Sequence, residues 1–242
     1  MLENLNLEEL LFIDIETVPQ FSDFNAVPEK FQNLWEKKAA YFLKDEMTPA
    51  DVYQSAGIYA EFGKIICISV GMIIQRHGEP AYRVKSYYGE DEKLLLSEFG
   101  EMLQKYTTLP HRMKLCAHNG IEFDFPYIAR RMLINGIKLP SILSIAGAKP
   151  WEVKETLIDT LQLWKFGDYK HYTSLNLLCA VFNIPTPKDD IDGSDVARVY
   201  YEEKDIKRIV RYCEKDTLAV AQLMLRYQGK DLIPADNMEI VE

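Results

Sequence analysis

The chain of 242 residues is short of positive charge, with 28 lysines and arginines against 37 aspartates and glutamates, for a net charge of −9. That deficit excludes a protein that coats duplex nucleic acid through its overall field, because such binding draws on a basic surface. It still allows a nucleic-acid ligand held at one site, where metal ions supply the positive charge. Cysteine is scarce too. Cys67, Cys116, Cys179 and Cys213 lie far apart and form no Cys-x-x-Cys pair, which points to reduced structural thiols in a cytoplasmic protein. The four histidines (His77, His111, His118, His171) lack zinc-like spacing. No apolar run is long enough to span a bilayer, and no basic-then-apolar leader opens the chain, so no membrane segment or signal peptide is expected.

What is present is an ordinary globular composition, 48% hydrophobic and 27% charged. The length suits one large domain with a full core, or two small ones. The stretch that organises the rest is Leu10-Leu11-Phe12-Ile13-Asp14-Ile15-Glu16-Thr17. It starts as an apolar run, as a buried central strand does. Side chains alternate across a strand, so Asp14 and Glu16 share one face and Ile13 and Ile15 the other. Two adjacent carboxylates at the end of a buried strand repel each other, and a divalent cation with oxygen ligands relieves that repulsion. Alone, Asp-x-Glu is common and reads first as two surface acids, so the downstream sequence decides.

Along the chain, Thr17-Val18-Pro19 stops the first strand, and residues 20–63 form a long excursion, an insertion with a helical pattern around Pro28 to Leu43 and a second helix start at Thr48-Pro49. Lys64 to Ile74 is an apolar strand, Gly78 to Pro80 a turn, and Tyr82 to Tyr88 an alternating strand, together an antiparallel hairpin. Asp91 to Tyr106 is an amphipathic helix, Lys114 to Ala117 a strand, and Phe125 to Asn135 a helix ended by Gly136. Glu155 to Leu163 reads as a short strand and turn, and Ser174 to Phe182 as a helix ended by Pro185 and Pro187. Two more helices follow, Asp195 to Tyr201 and Asp205 to Tyr227, and residues 229–242 read as a frayed tail. The whole is one domain over 1–242, with a mixed five-stranded sheet flanked by helices.

Two further stretches carry acids. In His118-Asn119-Gly120-Ile121-Glu122-Phe123-Asp124-Phe125 a strand gives way to a helix. Asp124 there is either a helix N-cap or a third carboxylate beside the first two, and Phe123 either core or a ligand contact. In Arg211-Tyr212-Cys213-Glu214-Lys215-Asp216 the tyrosine and aspartate are four apart and share a helix face. The pair reads either as a surface hydrogen bond or as a group looking into a cleft.

Together and in this order, the three stretches resemble the DEDD superfamily of 3′–5′ exonucleases, in its tyrosine branch (Tyr212-x-x-x-Asp216, with Arg211 where the other branch needs histidine). The resemblance runs over residues 10–228 and is closest to stand-alone relatives of the proofreading domain of family B DNA polymerases. It implies a ribonuclease-H-like α/β fold. It also implies a metal-dependent 3′–5′ exonuclease acting on nucleic acid with a free 3′ end, single-stranded DNA by preference. Asp14, Glu16, Asp124 and Asp216 would hold two Mg²⁺ or Mn²⁺ ions, Tyr212 would orient the attacking water, and Thr17, Asn119 and Phe123 would cradle the terminal nucleotide. Two alternatives stay open: a catalytically silent nucleic-acid-binding module on the same fold, and an RNA-trimming 3′–5′ exoribonuclease. The acidic turn Asp189–Asp195 has the local order of a calcium loop, but aligning Gly193 with the loop glycine puts Lys188 and Val199 at ligand positions that neither can fill, so it reads as a helix-capping turn. Asp159 reads as structural.

Overall fold

The apolar residues Leu10 to Ile13 are fully buried in β1 (Leu10–Pro19), the strand on which the sheet is centred. β1 pairs antiparallel with β2 (Gly63–Arg76), which turns through His77-Gly78 into antiparallel β3 (Glu79–Tyr88). Both turn residues have positive φ (54° and 85°), as a two-residue hairpin turn demands. The turn therefore lies at 77–78 rather than 78–80, and the strands run longer on both sides. On its other edge β1 pairs parallel with β4 (Lys114–Ala117), which pairs parallel with β5 (Leu157–Asp159). The computed structural model describes residues 2–44, 46–108, 113–168, 172–185 and 190–241; the expectations at His111, His171, Pro187, Lys188 and Asp189 lie outside them.

Two sequence expectations are corrected here. The sheet has six strands, in the order β5-β4-β1-β2-β3-β6, not five. The supposed tail supplies the sixth, β6 (Met238–Val241), which pairs parallel with β3. The mixed α/β, ribonuclease-H-like layout stands.

The helices in chain order are α1 (Glu29–Ala39), α2 (Glu92–Thr107), α3 (Asp124–Ile134), α4 (Pro150–Thr156), α5 (Thr160–Trp164), α6 (Leu175–Val181), α7 (Val196–Arg198, a single turn) and α8 (Ile206–Tyr227). Four start where a side chain accepts the orphan backbone N–H: Asp91 from Leu94, Asp159 from Leu161, Ser174 from Leu177 and Asp205 from Arg208. The helix expected over 195–201 is instead α7 followed by a π-helical turn at Val199–Glu203, closed by Lys204 at φ 57°. The wide turn brings neighbouring Tyr200 and Tyr201 together, rings 4.9 Å apart. The second helix expected after Thr48 is only a 3₁₀ segment at Tyr53–Ile58. Among the described residues no helix is long and apolar enough to cross a membrane.

Strand alternation sorts the core. Leu11, Ile13 and Ile15 pack with Ile68, Val70 and Tyr87 beneath α2 and α3. Phe12 packs with Tyr82, Val84 and Cys116 beneath α8 residues Val220 and Met224. The excursion gathers around Trp35, whose ring meets Tyr53, Tyr59, Phe42 and Phe62.

A buried ion pair fastens the excursion's end to both helices of the first face. Arg131 on α3 donates to Glu92 on α2 (Nε to Oε1, 2.9 Å) and to the Ala60 carbonyl (2.8 Å), while Glu92 also accepts the Ile65 N–H (2.7 Å). Removing one partner strands the other's charge, which is more costly than losing both. Arg131→Ala is therefore expected to cost about 3–5 kcal/mol of stability, read as a lower urea midpoint at unchanged m-value. A loss under about 1 kcal/mol would mean that water reaches the pair.

Candidate metal centre and cleft

On β1 the register places Asp14 opposite Ser69 and Glu16 opposite Cys67, on the sheet face that α8 covers. The antiparallel pairing is interrupted by a bulge between Glu16 and Thr17. The extra residue is Ile66 of β2, so β1 keeps its alternation and Thr17 lies on the other face, where its side chain hydrogen-bonds Tyr127 of α3. Asp124 is the first residue of α3, and the preceding position, Phe123, is the N-cap. Asp124 is thus not the cap that the sequence left open. Its buried carboxylate accepts its own backbone N–H and hydrogen-bonds the backbone of Ile15, between the two acids of β1.

α8 closes the arrangement across 199 residues of sequence. The Cys213 thiol donates to Asp14 Oδ2 at 3.3 Å and lies 3.4 Å from the Asp14 carbonyl oxygen. Ligand atoms of Asp14, Glu16 and Cys213 lie within 4.8 Å of one another. One turn along, Asp216 acts electrostatically on Asp14, Glu16 and Asp124, and the Tyr212 hydroxyl hydrogen-bonds it. The structure therefore brings together all five residues singled out in the three acidic stretches: Asp14, Glu16, Asp124, Tyr212 and Asp216.

Each acid disfavours its neighbours' charge. Burial, then Asp216, Glu16 and Asp124, hold the Asp14 carboxyl well above the usual carboxylate range. Burial and Asp216 do the same to Glu16. Burial raises Asp124 to about 7, and Asp159 adds to the rise. Glu16 is 7% exposed, yet its side chain makes no hydrogen bond with the described residues. Among those residues no lysine or arginine forms an ion pair with Asp14, Glu16 or Asp124. A buried carboxylate with neither donor nor counter-charge fits a hard divalent cation, and this oxygen-rich donor set suits Mg²⁺ or Mn²⁺. The Tyr212 hydroxyl is pushed far up, by burial first and then by Asp216, Glu16 and Asp14, so it stays protonated.

Beside Glu16 opens a cleft of about 470 Å³. Thr17 and Phe123 line it, as does the excursion through Gln54, Ser55 and Gly57, and the 190–204 segment through Ser194 and Ala197. The excursion, whose role the sequence did not disclose, is thus one wall of the cleft. Tyr127 ties that wall in place by donating to the Gly57 carbonyl at 2.7 Å. Gly63 has to be glycine because a Cβ would sit 2.2 Å from the Tyr127 hydroxyl. Asn119 does not line the cleft. Its backbone, at φ 62°, donates to Asp159 at 3.0 Å, and its side-chain oxygen is buried with no hydrogen-bond partner among the described residues. Asp159 also accepts from Ile121, Leu161 and Gln162, so it is a structural clamp on the β4–α3 turn and the start of α5.

Two residues near the acids went unnoticed in the sequence. Cys213 sat among apolar helix positions and read as core. Tyr172, exposed and edge-on to His118 with rings 6.2 Å apart, feels the charges of Asp124, Asp159 and Asp216. His118 is kept neutral by burial and spans Thr160 and the Thr173 carbonyl (2.9 Å each), fixing the segment that carries Tyr172. No local pattern around Tyr172 marks it. In the acidic turn Asp192 accepts from the Ser194 N–H at 2.8 Å, and Asp190 is paired with Arg208 of α8.

Because the folded-state carboxyls have raised pKa values, the folded chain binds more protons than the unfolded chain between about pH 4 and 7. Stability of the metal-free protein should therefore fall as pH rises through that window. Thermal melts from pH 5 to 8 should show a falling Tm that Mn²⁺ reverses most strongly at pH 8, and Asp124→Asn should flatten the slope. A metal-free Tm that rises steadily to pH 8 would contradict the shared burial of these acids.

Residues 58–232 match the model of a family described as "predicted 3′–5′ exonuclease related to the exonuclease domain of PolB". Among solved structures, the chain superposes on the family B DNA polymerase of the hyperthermophilic archaeon Pyrobaculum calidifontis with a TM-score of 0.50 and 14% identity. The match covers 89% of this chain and 24% of the polymerase, and at that identity it speaks for the fold.

Proposed function

The chain belongs to the predicted 3′–5′ exonucleases related to the exonuclease domain of PolB, and from that premise we propose that it removes nucleotides one at a time from the 3′ end of single-stranded DNA. The observation that carries the reading is the closed set of mutually repelling carboxylates, of which Glu16, buried and without a donor among the described residues, lines a nucleotide-sized cleft.

In this reading Asp14, Glu16, Asp124 and Asp216 hold two Mg²⁺ or Mn²⁺ ions. Bound there, the ions supply Lewis acidity, lowering the pKa of a water and neutralising the phosphoryl group. The chain's own groups do the rest. Cys213 fixes the carboxylate of Asp14 through its thiol. Tyr212, protonated and anchored on Asp216 through its one O–H, accepts a hydrogen bond from the attacking water and so orients it rather than taking its proton. Water adds to phosphorus, the 3′ oxygen of the shortened strand leaves, and a 5′-mononucleotide is released. Phe123, half-buried against Tyr127 with rings 5.4 Å apart, offers a rigid face to the terminal base. Thr17 and Tyr172 border the same nucleotide, and Asn119 keeps its place through the turn held by Asp159.

End-labelled single strands incubated with Mg²⁺ or Mn²⁺ test the proposal, with mononucleotides as the expected product and circular strands untouched. Deoxy and ribo strands compared side by side read the sugar preference. Asp14→Asn should abolish cleavage while the circular dichroism spectrum is kept. Tyr212→Phe should slow it on the order of tenfold to a thousandfold with Mn²⁺ affinity retained, as loss of a water-positioning group does. Wild-type turnover by Asp14→Asn would remove these acids from the chemistry.

A further inference from the structure

A sulfur stands among the oxygens of the acid cluster. Asp14 and Glu16 face α8 from β1, and their register partners Ser69 and Cys67 lie on the same face of the sheet. Over this patch α8 lowers the Cys213 thiol. Its Sγ lies 3.3 Å from Asp14 Oδ2 and 3.4 Å from the Asp14 carbonyl oxygen. Ligand atoms of Asp14, Glu16 and Cys213 all fall within 4.8 Å of one another, and among the described residues no other trio of histidine, cysteine or acidic side chains converges so closely.

Two observations mark the trio as a cation site with a soft donor. Glu16 is only 7% exposed and takes no hydrogen bond from the described residues, so a buried carboxylate points into the trio without a partner. The spacing fits as well. An oxygen ligand at about 2.0 Å and a sulfur at about 2.3 Å from a tetrahedral zinc ion lie about 3.5 Å apart, close to the 3.3 Å between Sγ and Asp14 Oδ2. Cys67, opposite Glu16, hydrogen-bonds the Cys213 thiol and supports it from behind. An approach is open, since Asp14 is partly exposed and Glu16 lines the cleft.

We infer that Asp14, Glu16 and Cys213 form a site for a thiophilic divalent cation such as Zn²⁺, whose occupancy excludes the Mg²⁺ or Mn²⁺ pair served by the same two acids. The site would act as a metal-sensitive brake on cleavage. That consequence rests on the exonuclease reading above; the site itself does not. Mg²⁺ and Mn²⁺ prefer oxygen and leave the thiol hydrogen-bonded to Asp14, whereas a softer cation gains a sulfur ligand that the four acids cannot offer. Binding exchanges the thiol proton, which passes to solvent, for a sulfur–metal bond.

Co²⁺ reports the sulfur directly, because a thiolate ligand gives it an intense near-ultraviolet charge-transfer band that oxygen ligands do not. One equivalent of Co²⁺ added to the metal-free chain should produce that band, and Zn²⁺ should abolish it by displacement. Cys213→Ser keeps an O–H for Asp14 but should lose the band. It should also bind Zn²⁺ at least about a hundredfold more weakly, beyond what loss of a supporting contact costs, while Mn²⁺ affinity read by electron paramagnetic resonance falls far less. Zn²⁺ should stop Mg²⁺-dependent mononucleotide release by the wild type, and Cys213→Ser should need far more of it, each read against its own Mg²⁺ rate. Absence of the band in the wild type, or Zn²⁺ bound as tightly by Cys213→Ser, would overturn the site. A band without zinc inhibition would overturn the brake. Should Cys213→Ser not fold, Glu16→Gln takes its place and should weaken Co²⁺ binding at least about tenfold; unchanged binding would again overturn the site. Should the wild type release no nucleotide with Mg²⁺, the exonuclease reading fails, and the cobalt band still supports the site by its presence or overturns it by its absence.

Discussion

Like charges forced together in a dry place are the constraint around which this molecule is arranged. Asp14, Glu16 and Asp124 are each held above their ordinary pKa by burial and by the other acids, and no described lysine or arginine pairs with them. Folding brings these groups together at a cost, and that cost has to be met elsewhere. The apolar layers on either side of β1 supply the offset, since Leu11, Ile13 and Ile15 fill one core and Phe12 the other. The strand's alternation is what lets one segment anchor both cores and still present two acids on one face. A site at which stability is surrendered locally and recovered in the scaffold is the usual economy of a functional centre.

The walls of the cleft are held as firmly as its floor. Tyr127 connects Thr17, Phe123 and Gly57, and so joins the strand end, the α3 cap and the excursion through one side chain. Arg131 and Glu92 extend that frame to α2 and the start of β2. The excursion is therefore a braced part of the cleft's geometry, with its own aromatic cluster around Trp35, and not a loop laid over the surface.

How much of this could be read from the chain depended on whether a signal was local. The period-two pattern of β1 and the caps at Asp91, Ser174 and Asp205 are local, and they located their elements to within a residue or two. The four acids and Tyr212 were legible because their order and spacing resembled a family. Nothing local tied them to each other, and their meeting is a product of topology. β6 was missed because four half-exposed residues carry no burial pattern; its strand character comes only from β3 alongside. The turn at Val199–Glu203 was read as α because its composition is helical, whereas tertiary contacts at Tyr200 and Tyr201 widen it. Asn119 was drawn toward the ligand by its place in a motif, but the structure gives its backbone to Asp159. Tyr172 stands alone in sequence and becomes notable only beside three acids.

The hydrogen bond from Cys213 to Asp14 joins residues separated by 199 positions. A chain emerging from the ribosome folds what it has, from its beginning onward. Before α8 is made it carries three of the four acids and has no helix to lay over them. Only when α8 is released does the pocket close. A polypeptide with this layout keeps its acid cluster unassembled until α8 has been made, so products of translation that stop short of α8 lack the closed cluster.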